Sequence, residues 1–127
     1  MNALLAFCAV MAAIYVPWDF AVKPVAHDDE IWFGVALHGW AAKATEPLHF
    51  AIYAAGTYGF WRMRPWMWPW AAAYVAQIAI GMGVWSMSRF GGARGTVWAI
   101  AAGLPLAAIA IALWRARAQF QSGSSRA

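Results

Sequence analysis

Asp19, Glu46, His49 and Gln77 all fall inside stretches of sequence that are otherwise apolar, where hydropathy places lipid. An ionisable side chain at such a depth is costly unless it is paired, and it marks a functional site by default. Carboxyl and imidazole groups held together can move protons, one acting as the acid while its neighbour acts as the base. Two carboxyl groups in unlike surroundings can also be poised in opposite protonation states. If residues 38–56 form one helix, His38, Ala42, Thr45, His49, Tyr53 and Gly56 share a sector of roughly 80°, with Glu46 at its edge. A polar face of this kind has to turn toward the protein interior or a cavity, because facing lipid would cost several kcal/mol.

The same residues fit metal chemistry poorly. Glu46-x-x-His49 is half of the carboxylate di-iron motif, but the sequence holds no second such pair and only five acidic residues. On a straight helix His38 and His49 stand about 16 Å apart, too far to share an ion. No pair of histidines on different helices faces a haem, so neither a metal nor a cofactor is expected. The structural alternative is a buried ion pair between Lys43 and Glu46, one turn apart, with His49 and Gln77 completing hydrogen bonds between helices. The hydroxyls of Tyr15 and Tyr53 fit either interhelical bonding or ligand binding.

The elements that position these groups follow from composition. The chain is 64% hydrophobic and 11% charged, against about 45–50% and about 25% in a soluble domain. That balance predicts an integral membrane protein. Apolar runs cover Ala3 to Ala21, Ile31 to Phe60 with an interruption at Lys43 to Pro47, Trp66 to Met87, and Thr96 to Trp114. Each reaches the roughly 20 residues that cross a bilayer as helix. The expected fold is therefore an all-α bundle of four transmembrane helices in one domain, residues 1–118, followed by a polar, Gly/Ser-rich tail at 119–127 that reads as disordered. The first run has no preceding Lys or Arg, and Asp19 and Lys23 interrupt the place of a cleavage site, so it reads as a retained helix.

The net charge of +4 does not indicate a nucleic-acid partner, because the basic residues punctuate the ends of spans instead of clustering on a soluble face. Arg62, Arg64, Arg115, Arg117 and Arg126 fall on one side of the predicted topology, and Lys23, Arg89 and Arg94 on the other. The positive-inside rule then places both termini in the cytoplasm. The single cysteine, Cys8, forms no internal disulfide and packs as a small apolar residue.

Local signals refine the spans. Pro17 predicts a kink beside Asp19, and Pro24 ends the segment. His27-Asp28-Asp29-Glu30 reads as a solvated helix start. The second run is too long for one helix across a bilayer, so it either kinks at Thr45-Glu46-Pro47 or divides into an interfacial piece, Ile31 to Ala44, and a deeper piece, Pro47 to Trp61. Trp66, Trp68 and Trp70, just after Arg62 and Arg64, set the headgroup level. Gly81-Met82-Gly83 allows close helix approach in the third span, and Pro105 predicts a kink in the fourth.

Several of these residues also resemble the EXPERA family, the four-span module of the emopamil-binding sterol isomerase and sigma-2 receptor type. Tyr15-x-x-x-Asp19, with Pro17 between, is similar to the family's His-x-x-x-Glu in span 1. Glu46, the Arg62-Met63-Arg64-Pro65 loop, Val75-Ala76-Gln77-Ile78 and the Pro105 to Arg115 spacing resemble its later motifs. The chain departs in its short first loop, in Tyr15 replacing a histidine, and in Trp98 standing where the family has an asparagine. The resemblance implies a sterol- or lipid-like ligand between helices, with Asp19 and Glu46 as the acidic pair.

Together these readings predict an intramembrane polar pocket lined by Tyr15, Asp19, His38, Glu46, His49, Tyr53, Gln77 and Trp98 that binds a hydrophobic small molecule such as a sterol, isoprenoid or lipid. In its enzymatic form it is a cofactor-independent double-bond isomerase. Glu46 protonates the double bond, Asp19 or His49 removes a proton elsewhere, and aromatic faces stabilise the cation. An accessory subunit of a larger membrane complex, and a small homo-oligomeric transporter or channel, are the alternatives; a homodimer fits the first reading.

Overall fold

The computed structural model describes residues 1–122. It is predominantly helical, and its contacts divide it into two compact units: Met1–Asp29 with His38–Met67 and the residues from Gln119, and Glu30–Leu37 with Trp68–Ala118.

In the first unit, α1 (Asn2–Val10) continues through a wide π turn, Met11–Tyr15, into α2 (Val16–Ala21). Pro17 supplies no N–H to the helix, and the wide turn just before it takes up the mismatch while keeping the chain helical. The chain leaves α2 at Pro24 (φ −63°, ψ 137°) and makes a short 3-10 turn over Val25–His27.

The next segment departs from expectation. Ile31 to Ala44 is not an interfacial helix, and His27-Asp28-Asp29-Glu30 does not start one. The chain forms a hairpin of β1 (Asp29–Trp32) and β2 (Val35–His38), then the short α3 (Trp40–Lys43). Phe33 and Gly34 both have positive φ, 50° and 85°, the two-residue geometry that matches the twist of paired strands. A Cβ at Gly34 would lie 2.7 Å from Val84 Cγ1, so the turn needs its glycine for close approach as well as for backbone freedom.

The helix α4 (Glu46–Trp61) begins at the predicted break. Pro47 sits in its first turn, where a missing N–H costs nothing. Ala44 and Thr45 keep right-handed helical angles, and Thr45 Oγ1 donates to the Ala42 carbonyl at 2.7 Å, so the junction is a soft one. α4 lies along α1, the π turn and α2. Gly56 meets Cys8 there, and an added Cβ would stand 2.9 Å from Sγ. After α4 the Arg64 N–H donates to Gly59 O (2.9 Å) and the Met63 N–H to Phe60 O (3.4 Å), with Met63 at φ 46°. These two bonds make a Schellman cap.

In the second unit, α5 (Met67–Phe90) has an extended residue at Trp68, after which Pro69 opens the regular helix; a glycine turn leads into α6 (Gly92–Arg115). A Cβ at Gly95 would lie 3.1 Å from Ser86 O, so these two helices approach closely. At the far end Trp68 Nε1 donates to Trp114 O at 2.9 Å, satisfying a carbonyl in the last turn of α6.

The tail also differs from expectation. Arg117–Ser122 forms α7, and Phe120, 1% exposed, packs on Phe60; the remainder of the tail read as disordered lies outside the described residues. Three helical stretches are long and apolar enough to cross a membrane: Asn2–Ala21, Met67–Phe90 and Gly92–Arg115. They are compatible with a multi-pass membrane protein. Phe7, Ile14, Ile80, Val97 and Leu104 lie exposed along them, as side chains against lipid do.

The Gly56–Cys8 contact gives a direct test of this helix pair. Gly56→Ala should destabilise the chain by about 1–3 kcal/mol through overpacking, and Cys8→Ala in the same chain should recover most of that loss. Thermal melting of the two single variants and the double variant in detergent measures the coupling, and purely additive effects would place the two residues apart.

Candidate functional site

At the end of α2 the chain places Asp19, 0% exposed, and follows it four residues later with Lys23. Lys23 Nζ stands 3.1 Å from Asp19 Oδ1 and 2.8 Å from Asp28 Oδ1. Asp28, also 0% exposed, meets Lys43 Nζ at 3.1 Å through its other oxygen. Lys43 in turn donates to the backbone carbonyls of Asp19 and Lys23. Two lysines and two largely buried aspartates thus tie the end of α2, the following loop and α3 together. The sequence alone does not reveal this lattice: in it Asp28 reads as part of a solvated helix start, Lys23 as a topology signal, and Lys43 only as an alternative partner for Glu46. The Asp19-x-x-x-Lys23 spacing, one helical turn, was the available signal.

Glu46 opens α4 directly beside the lattice and is 1% exposed. Carboxylate oxygens of Asp19, Asp28 and Glu46 lie within 4.8 Å of one another. His49 Nδ1 is 4.0 Å from Glu46 Oε1, and its ring stacks on Tyr53 at 6.4 Å. Tyr53 meets the ring of Phe7 edge-on at 5.9 Å. Glu46, His49 and Tyr53 therefore run down one side of α4, and Gly56 carries that side onto α1.

The other proposed site residues are placed differently. His38 lies on β2 with its side chain 70% exposed and pairs with Asp29 at 2.6 Å; the helical register that set it beside His49 is broken by the hairpin and Gly39. Tyr15 is on the π turn, exposed, with its ring 6.2 Å from Trp18. Gln77 and Trp98 belong to the second unit, where the exposed Trp98 packs on Phe90 at 6.1 Å.

Chemically, the first unit offers one buried carboxyl group, that of Glu46, next to an imidazole, and two more whose oxygens already meet ammonium groups. An oxygen-binding cation has carboxylates enough at Asp19, Asp28 and Glu46. It would have to displace Lys23 and Lys43 from Asp28, however. Compared with family models, with characterised proteins and with solved structures, the chain has no match.

Burial alone would lower the affinity of Lys23 for its proton and raise that of Asp28. Hydrogen bonds and charge between the partners outweigh it, holding Lys23 above its ordinary 10.5 and Asp28 below its ordinary 3.8. The stabilisation through Asp28 is therefore complete above about pH 4 and lost as pH falls through its depressed value. That through Lys23 is complete below about pH 10 and lost as pH rises through its elevated value. Melting temperature in detergent should be level from about pH 5 to 9 and fall on both sides. Asp28→Asn should cost about 3–5 kcal/mol at neutral pH, because it leaves two ammoniums short of a buried counter-charge; an unchanged melting temperature would contradict the lattice.

Proposed function

We propose that the chain is an integral membrane protein that crosses the bilayer four times, with both termini in the cytoplasm, and binds a sterol-, isoprenoid- or lipid-like molecule through the polar group formed by Glu46, His49 and Tyr53. The observation that carries this reading is a buried carboxyl group, Glu46, beside a half-buried imidazole at the start of a helix in a chain made for lipid. An ionisable group buried in such a chain is a functional-site candidate by default. Support for a fourth crossing comes from the near-continuous helical path from Trp40 to Trp61, about 33 Å at 1.5 Å per residue, enough for about 30 Å of hydrocarbon. The EXPERA resemblance points to the same ligand class and supplies its acidic pair, Asp19 and Glu46.

In the catalytic form of this reading, the acid of Glu46 delivers its proton to one carbon of a double bond, leaving a carbocation on the other. His49 removes a proton from the neighbouring carbon, and the double bond is restored one position along. The charge on the intermediate is met by the π faces of Tyr53 and nearby aromatic rings. Asp19 accepts a hydrogen bond from Lys23 and takes no proton in this scheme.

Mass spectrometry of small molecules retained by the purified chain in lipid nanodiscs tests the binding. The unmodified protein should carry a hydrophobic molecule that Glu46→Gln holds at least several-fold less well. Incubation in deuterated water tests the chemistry, since exchange at carbon should label the molecule and Glu46→Gln should abolish the label. Equal retention by both proteins would remove Glu46 from the binding site.

A further inference from the structure

The opposite end of α4 carries a second, unlike arrangement of charge. All five acidic residues of the chain lie between positions 19 and 46, whereas Arg62 and Arg64 follow the last turn of α4. Sixteen residues of helix place these arginines about 24 Å from the Lys–Asp lattice. They are held by aromatic groups. Arg62 stacks over the Trp61 ring at 4.4 Å, and Arg64 donates from Nε and Nη2 to the Tyr58 hydroxyl at 3.2 and 2.7 Å. The Schellman cap fixes the backbone between them, with Met63 in the left-handed region.

These contacts orient the guanidinium groups, and among the described residues neither has an acidic partner. A guanidinium has five N–H donors, so Arg64 keeps three beyond those on Tyr58, and stacking leaves the in-plane donors of Arg62 accessible. Trp61 and Trp66 are exposed beside them, and the Trp66 ring reaches back to Gly59, 3.1 Å from where a Cβ would stand there. Amphipathic rings at one level next to oriented guanidiniums match the boundary between acyl chains and phosphates. Guanidinium geometry favours phosphate oxygens, which a planar fork of donors can engage.

We propose that the Arg62-Met63-Arg64 turn, with Tyr58, Trp61 and Trp66, is a binding site for the headgroup phosphate of an anionic phospholipid of the surrounding bilayer. The site is separate from the Glu46 group, and its occupant is the membrane itself.

Footprinting of the unmodified chain tests the proposal without a variant. The protein is reconstituted in vesicles of phosphatidylcholine alone or mixed with phosphatidylglycerol, treated with a dicarbonyl reagent that modifies guanidines, and read peptide by peptide. Phosphatidylglycerol should reduce modification of Arg62 and Arg64 at least threefold and leave Arg89 and Arg94 much less affected. Inorganic phosphate added to phosphatidylcholine vesicles should not reproduce this protection. Equal modification in both vesicles, or uniform protection of all four arginines, would overturn the site. Native mass spectrometry of lipid retained in detergent gives the second measurement. Arg62→Gln/Arg64→Gln should reduce the preference for phosphatidylglycerol over phosphatidylcholine on the order of tenfold, while the charge-matched Arg89→Gln/Arg94→Gln retains it. Equal losses in the two variants would reduce the effect to net charge and also overturn the site.

Discussion

The first unit depends on two ammonium groups bringing acidic side chains and backbone carbonyls to one place. Lys43 binds Asp28 and the carbonyls of Asp19 and Lys23, while Lys23 binds Asp19 and Asp28. Moving any one of these charges from water into an apolar setting costs several kcal/mol, and only a set of mutually satisfying contacts offsets that loss. The requirement fixes more than a pairwise distance. It sets where α2 ends, how the chain turns at Pro24, where α3 begins and therefore the register in which α4 starts against α1.

That register is what gives Glu46 its surroundings. The acid stands next to the lattice at the first residue of α4, and the helix then carries His49 and Tyr53 down the same side toward Phe7 and the Gly56–Cys8 contact. Structure and chemistry are divided between neighbouring carboxyl groups. Asp19 and Asp28 are bound to lysines as parts of the frame, and Glu46 with His49 forms the group proposed to meet a ligand.

Part of the candidate grouping was legible in the sequence on either side of the hairpin. Asp19, Glu46, His49 and Tyr53 come together in the first unit, and the Thr45-Glu46-Pro47 break and the Pro17 disturbance occur where the residues put them. The helical register failed between Ile31 and Ala44 because an apolar run bounded by glycines fits a strand as well as a helix at this length. Gly34 and Gly39, both at positive φ, were the local evidence for the strand reading. His38 left the group for that reason, its side chain now paired with Asp29 in the open. Asp28 was misread because a solvated acid and a buried, ion-paired acid have the same sequence; only the approach of Lys43 from further along the chain distinguishes them.

The sequence by itself determined that the chain is largely apolar, where its long helices lie, and that a few polar groups stand against that background, because hydrophobicity and residue period are local properties. Tertiary structure alone decided which polar groups share charge. Ion pairing joins positions 19, 23, 28 and 43 through space, and its strength depends on distances of a few ångströms that no local pattern records. It also decided that Lys43 meets Asp28 and the Asp19 carbonyl, and that Glu46 stands beside an imidazole.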